Sequence, residues 1–117
     1  MDDPCGVGDN ADSLSRMHRL LVLYPPPTDP DHFRSYYEDT HLKLVAKIPG
    51  LVGYRYGFDV AASEGDSPYF CAFEGDFEDA AAMGAALDSP QGQAALADIP
   101  NYATGGALPL NYEVRAG

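Results

Sequence analysis

An α+β sandwich with the element order βαββαβ is the fold that the sequence predicts, and three observations predict it. Four short runs rich in β-branched and aromatic residues are bounded by Pro, Gly and Asp clusters. A long stretch from Pro30 to Ile48 carries apolar residues at helical spacing, and an alanine-rich stretch comes after the third strand-like run. The chain has 117 residues, enough for one modest core but not two.

His18 to Tyr24, "HRLLVLY", is apolar enough for a strand covered on both faces, and "PPPTDPD" stops it. Asp29 next to Pro30 fits an N-cap with proline at the first helical position, so a single helix is predicted from Pro30 to Ile48, closed by Pro49 and Gly50. At 100° per residue, Phe33, Tyr37, Thr40, His41, Leu44, Val45 and Ile48 fall within an arc of roughly 140°. His41 therefore lies inside the stripe that should be buried. "LVGYRYGFDV" from Leu51 alternates, with Val52, Tyr54, Tyr56 and Phe58 on one face and Gly53, Arg55 and Gly57 on the other. "YFCAFEG" from Tyr69 is the third strand, and "DFEDAAAMGAALDS" is helical. "SPQGQAALADI" adds a short helix capped by Ser89 with Pro90 in its first turn. After the loop "PNYATGGALP", "LPLNYEV" is the last strand.

Two βαβ-like halves sharing one four-stranded antiparallel sheet make a ferredoxin-like sandwich. Its helices cover one face of the sheet, and an apolar face left bare calls for a partner, so a homodimer joined sheet to sheet is expected. Residues 1–16, rich in Gly, Asp and Asn without periodicity, are expected to be a flexible tail ahead of a domain over 17–117.

Composition excludes several function classes. The formal net charge of −11, with seven scattered Lys and Arg, disfavours nucleic acid and anionic membranes. No apolar run reaches the roughly 18 residues of a membrane helix. With only Cys5 and Cys71, a structural disulfide is not expected and a reducing, cytoplasmic setting is. Walker, G-x-G-x-x-G and G-x-S-x-G patterns are missing, so no cofactor is expected. His32 and His41 lie on opposite sides of the predicted helix, so no metal site is expected either.

"LVLYPPPTDPDHFRSYYEDTHLKLVAKIPGL" and "SPQGQAALADIPNYATGG" together resemble the EthD family of the dimeric α+β barrel superfamily, over about residues 17 to 114. The resemblance implies a dimer with a small-molecule cavity between sheet and helices in each subunit. It also implies a place in the breakdown of small organic compounds or in polyketide and aromatic metabolism. Relatives in the superfamily include isomerases, cyclases and cofactor-free oxygenases. One departure stands out: Lys43 occupies the position where the family usually has proline after its histidine.

His41 is the leading catalytic candidate, because an imidazole works as both base and acid near neutrality. Tyr37, one turn earlier, is the candidate donor to a developing oxyanion. Tyr24, Thr40, Tyr54, Tyr56 and Tyr102 are expected to line the pocket. Tyr36, at the stripe's edge, reads as packing. Asp39 with Lys43 and Arg34 with Glu38 read as surface i,i+4 pairs. Three functions are compatible with this set: cofactor-independent cyclisation, isomerisation or dehydration; cofactor-free oxygenation; and non-catalytic carriage of a metabolite.

Overall fold

The computed structural model describes residues 17–117, so the expected tail over 1–16 and Cys5 lie outside the described residues. Strand β1 (His18–Tyr24) sits in the middle of the sheet, antiparallel to β3 (Cys71–Phe77) on one side and to β4 (Leu108–Glu113) on the other. Strand β2 (Leu51–Phe58) pairs with the far side of β3, giving the order β2-β3-β1-β4. This is the ferredoxin-like arrangement predicted from the element order. Val22 and Tyr24 of β1 and Cys71, Phe73 and Phe77 of β3 point to the helical layer and are buried.

The first helical segment departs from the prediction. Helix α1 (Pro30–Tyr36) starts as expected, with the Asp29 carboxylate accepting from the His32 backbone N–H at 3.1 Å. A π-helical turn over Tyr37–His41 interrupts it, and α2 (Leu42–Val45) ends three residues before Ile48. The wider turn, in which the Leu42 N–H reaches the Tyr37 carbonyl, inserts about one residue and rotates α2 by roughly 100° relative to a continuous α-helix. Tyr37, His41, Leu42 and Val45 consequently share the buried side, whereas Thr40 is turned to the surface. The same distortion rearranges the expected surface pairs. Arg34 bonds Asp31 and Asp59 rather than Glu38, which accepts instead from the Tyr56 hydroxyl.

A second local irregularity corrects the reading of β2. Leu51 faces Phe77 and Gly53 faces Asp76, leaving Val52 as the extra residue of a β-bulge at 62% exposure. Leu51, not Val52, thus joins Tyr54, Tyr56 and Phe58 on the helix side.

Helices α3 (Ala80–Asp88) and α4 (Pro90–Asp98) meet at Ser89, whose N–H closes α3 on the Ala86 carbonyl while its hydroxyl accepts from the Gly92 N–H at 3.0 Å. The corner is so tight that a Cβ on Gly92 would overlap the Ala86 carbonyl and lie 2.8 Å from the Leu87 Cα. A 3₁₀ turn, Ile99–Asn101, ends this layer.

The opposite face of the sheet carries a charged centre and an apolar side. Arg19 donates to Asp76 at 2.7 and 3.1 Å, and Arg55 reaches Glu74 and Asp76 at 3.3 Å each. Beside them lie Leu21 and Leu23, then Leu108, Leu110 and Tyr112, each of the last three more than 40% exposed.

The Ser89 corner generates a paired test. Gly92→Ala is expected to destabilise the protein by about 1–3 kcal/mol in chemical denaturation, because backbone atoms must move. Gly84→Ala, in the exposed middle of α3 with open space around it, should be stabilising by up to about 1 kcal/mol.

Candidate active site

A buried carboxylate organises the space between the helices and the sheet. Asp98, the last residue of α4, is 8% exposed and lies at the helix end where the backbone dipole opposes negative charge. Three donors compensate: the Tyr36 hydroxyl at 2.6 Å, the Asn101 amide at 2.9 Å and His41 Nδ1 at 3.0 Å. Burial alone would raise the Asp98 pKa, but these three bonds together hold it below the usual carboxylate range. Asp98 is therefore an anion at neutral pH, and an anion accepting from Nδ1 keeps the proton on that nitrogen.

His41 is only 4% exposed and occupies the last position of the π turn. Its ring packs against two tyrosines that also touch each other, Tyr102 with centroids 4.6 Å apart and Tyr37 stacked at 5.3 Å. Burial lowers the imidazole pKa, and the hydrogen bond and charge of Asp98 oppose this without overcoming it. The ring is thus neutral at pH 7. With Nδ1 committed to Asp98, the basic lone pair is on Nε2, for which no partner exists among the described residues.

The imidazole forms part of the wall of a narrow, partly enclosed apolar cavity. Its floor is Leu20, Val22, Phe73 and Phe77 of the sheet, and Val45, Ile48, Leu87, Ala95, Leu96 and Ile99 close it from the helical side. Tyr24, Tyr37 and His41 supply its polar atoms. An unprotonated nitrogen and phenol hydroxyls in an apolar surround can accept a proton and stabilise the oxyanion it leaves behind.

The residues predicted for the site divide into two groups. Tyr24, Tyr37, His41 and Tyr102 come together, with Tyr102 behind the imidazole and its hydroxyl 2.8 Å from that of Tyr24. Thr40 does not join them, because the π turn faces it outward. Tyr54 and Tyr56 stay at the edge, 36% and 38% exposed, because β2 is the outermost strand on its side and the helices do not cover it fully. Tyr54 stacks on Phe73, and Tyr56 bonds Glu38 on the outside of the π turn. Cys71 is buried among the aromatic rings and burial pushes its thiol up to about 12, so it is a protonated filler at neutral pH.

Sequence reasoning missed Asp98, Asn101 and the polar role of Tyr36. A signal for Asp98 existed: an acidic residue in the last turn of an otherwise apolar helix is misplaced for the dipole and needs a partner. Nothing local identified His41 as that partner, since the two are 57 residues apart.

Comparison with known proteins gives a family. The chain is 36% identical, over 95 residues, to an uncharacterized 11.0 kDa protein of the thcB-thcC intergenic region of Rhodococcus erythropolis, covering 80% of this chain and 91% of that protein. Among solved structures, an ethyl tert-butyl ether d (EthD) family protein of Bacillus halodurans superposes with a TM-score of 0.78 at 28% identity, covering 84% of this chain and 98% of the other. A dimeric ferredoxin-like protein of Jannaschia sp. CCS1 is also 28% identical, with a TM-score of 0.59 and coverage of 84% and 99%. Two enzymes share the fold at lower identity, hydroxynitrile lyase from Passiflora edulis (15%, TM-score 0.70) and the cofactor-independent oxygenase SnoaB from Streptomyces nogalater (16%, TM-score 0.62). Residues 25–106 match the EthD domain, and the chain belongs to that family.

Proposed function

We propose that the protein is a small-molecule enzyme in which His41 transfers a proton to and from a largely apolar organic substrate bound in the cavity. The observation that carries this reading is the 3.0 Å bond between His41 Nδ1 and the buried Asp98 carboxylate. A histidine needed only for packing requires no anion held beside it by two further donors. Here the anion orients the ring and stabilises the imidazolium that forms when Nε2 takes a proton from substrate. The returning step delivers that proton to another carbon or oxygen, which accounts for isomerisation, cyclisation or dehydration with one residue. These steps draw only on the chain's own side chains.

Cofactor-free oxygenation is the second reading, favoured by the likeness of fold to the Streptomyces enzyme. The same base would deprotonate a phenol or enol, and the substrate anion would then react with dioxygen. Oxygen uptake on turnover separates the two.

The working unit is proposed to be a homodimer, paired through the sheet face that carries Leu21, Leu23, Leu108, Leu110 and Tyr112. Its exposed leucines are the support on this chain, and the Jannaschia protein is described as dimeric. The free, buried thiol of Cys71 agrees with a cytoplasmic setting.

Exchange of α-hydrogens of small ketones into deuterated water, monitored by proton NMR, tests the base. His41→Gln should lower the exchange rate at least about 100-fold and Asp98→Asn about 10-fold or more. Equal rates in wild type and His41→Gln would overturn the assignment. The sign of the pH dependence is set by the neutral imidazole being the active form. Because its pKa is lowered, the rate should be level above about pH 6.5 and fall only as pH drops below that ordinary value. Asp98 raises the His41 pKa, so Asp98→Asn should move the falling limb to still lower pH while reducing the plateau.

For the assembly, light scattering should give twice the chain mass for the wild type and a single-chain mass for the pair Leu108→Asp with Leu110→Asp. A monomeric wild type at tens of micromolar would exclude the dimer.

A further inference from the structure

We propose that the Tyr37 hydroxyl is the docking point for a ligand oxygen, and that the ligand is an uncharged, compact ketone or phenol bearing neither carboxylate nor phosphate. This assignment rests on the cavity being the site of proton transfer at His41 and adds to it the chemical class of what binds.

The hydroxyl itself is the first observation. Tyr37 is fully buried and lines the cavity, and its oxygen is the one buried side-chain polar atom without a hydrogen-bond partner among the described residues. A buried hydroxyl left unpaired costs about 1–3 kcal/mol. The polar groups close to it are the Tyr24 hydroxyl, already paired with Tyr102 at 2.8 Å, and the Cys71 thiol, a weak acceptor. Neither makes a bond of good geometry to it, and Tyr36 bonds Asp98 at 2.6 Å. The deficit is thus confined to the ring stacked directly on His41, which puts an unused donor and an unused base on one wall. Burial raises the Tyr37 pKa strongly, so the group remains a donor at any working pH and suits an acceptor oxygen.

Charge is the second observation. The cavity wall contains neither Lys nor Arg. Arg19 and Arg55 lie on the other face of the sheet with Asp76 and Glu74, and Arg34 is held by Asp31 and Asp59. The nearest full charge behind the wall is the Asp98 anion, bonded to His41. A carboxylate or phosphate entering this space would lose its hydration, gain no cation and meet a like charge. A carbonyl or phenol oxygen loses far less and gains the Tyr37 donor.

Binding of single-ring probes to the full chain, measured by NMR shift titration, tests the assignment. Acetophenone is compared with ethylbenzene, phenol with toluene, and benzoate with all of them, on wild type and Tyr37→Phe. Acetophenone or phenol is expected to bind at least 10-fold tighter than its oxygen-free counterpart in the wild type. That advantage should shrink 5-fold or more in Tyr37→Phe, with the hydrocarbons unaffected and benzoate weakest. The probe that loses more assigns the ligand to the ketone or the phenol class. The proposal is overturned if Tyr37→Phe weakens hydrocarbon and oxygenated probes alike, if benzoate binds as well as acetophenone, or if neither oxygenated probe binds at millimolar concentration. A melting temperature of Tyr37→Phe below that of the wild type also overturns it, since the hydroxyl would then have a partner within the protein. Tyr37-dependent binding with no proton exchange at His41 would sink the enzyme reading alone. Exchange at His41 without any Tyr37 dependence would sink this inference alone.

Discussion

The hydrogen bond between His41 and Asp98 joins two parts of the chain that share no strand pairing, the π turn after α1 and the end of α4. An anion at the C-terminal end of a helix and inside an apolar layer is unfavourable on both counts. It is tolerated because Tyr36, Asn101 and His41 converge on it, and a charge-assisted bond of this kind contributes about 1.5–3 kcal/mol. The packing of α4 against the first helical segment is thereby tied to one arrangement of polar atoms. The same bond settles which imidazole nitrogen is left unprotonated and without a partner among the described residues.

The π turn ends at His41 and shapes the surface around that bond. A continuous helix would have presented Thr40 within the inward stripe, spreading one polar residue too many across a surface that must be apolar. With the extra residue accommodated, Tyr37, His41, Leu42 and Val45 fall inward together, and Tyr36 reaches Asp98 from the margin. Distortions of this type recur at functional sites because they re-aim a side chain without ending the helix. The leucine and lysine after His41 keep the backbone donors that proline would have removed, so α2 continues the turn rather than kinking away.

Around this bond the core is mostly aromatic. Tyr24, Phe33, Tyr37 and Tyr102 pack at 5.0 to 5.7 Å, edge to face, tilted or stacked, and two of them, Tyr37 and Tyr102, pack against the imidazole. Rigid rings with few rotamers position a base at lower entropic cost than flexible side chains would. The tight Ser89 corner serves the same end, since it sets where α4 begins and hence where Asp98 arrives at the close of its nine residues.

What the sequence by itself determined were the properties that neighbours along the chain decide. Strand β1, the caps at Asp29 and Ser89, the βαββαβ order and the burial of His41 all derive from short-range periodicity and capping chemistry. The motifs around Tyr37 and His41 made the family legible as well. What only the tertiary structure decided were the π turn, the Val52 bulge and the pairing of His41 with Asp98. The exposure of Thr40, Tyr54 and Tyr56 belongs with them. These depend on register between elements and on which polar groups meet across the core, and such contacts form between residues tens of positions apart. A periodicity of 3.6 assumes an undistorted helix, and an alternation of two assumes an unbulged strand. The departures from both lie beside the cavity, where the competition between burying rings and satisfying one carboxylate is resolved in three dimensions.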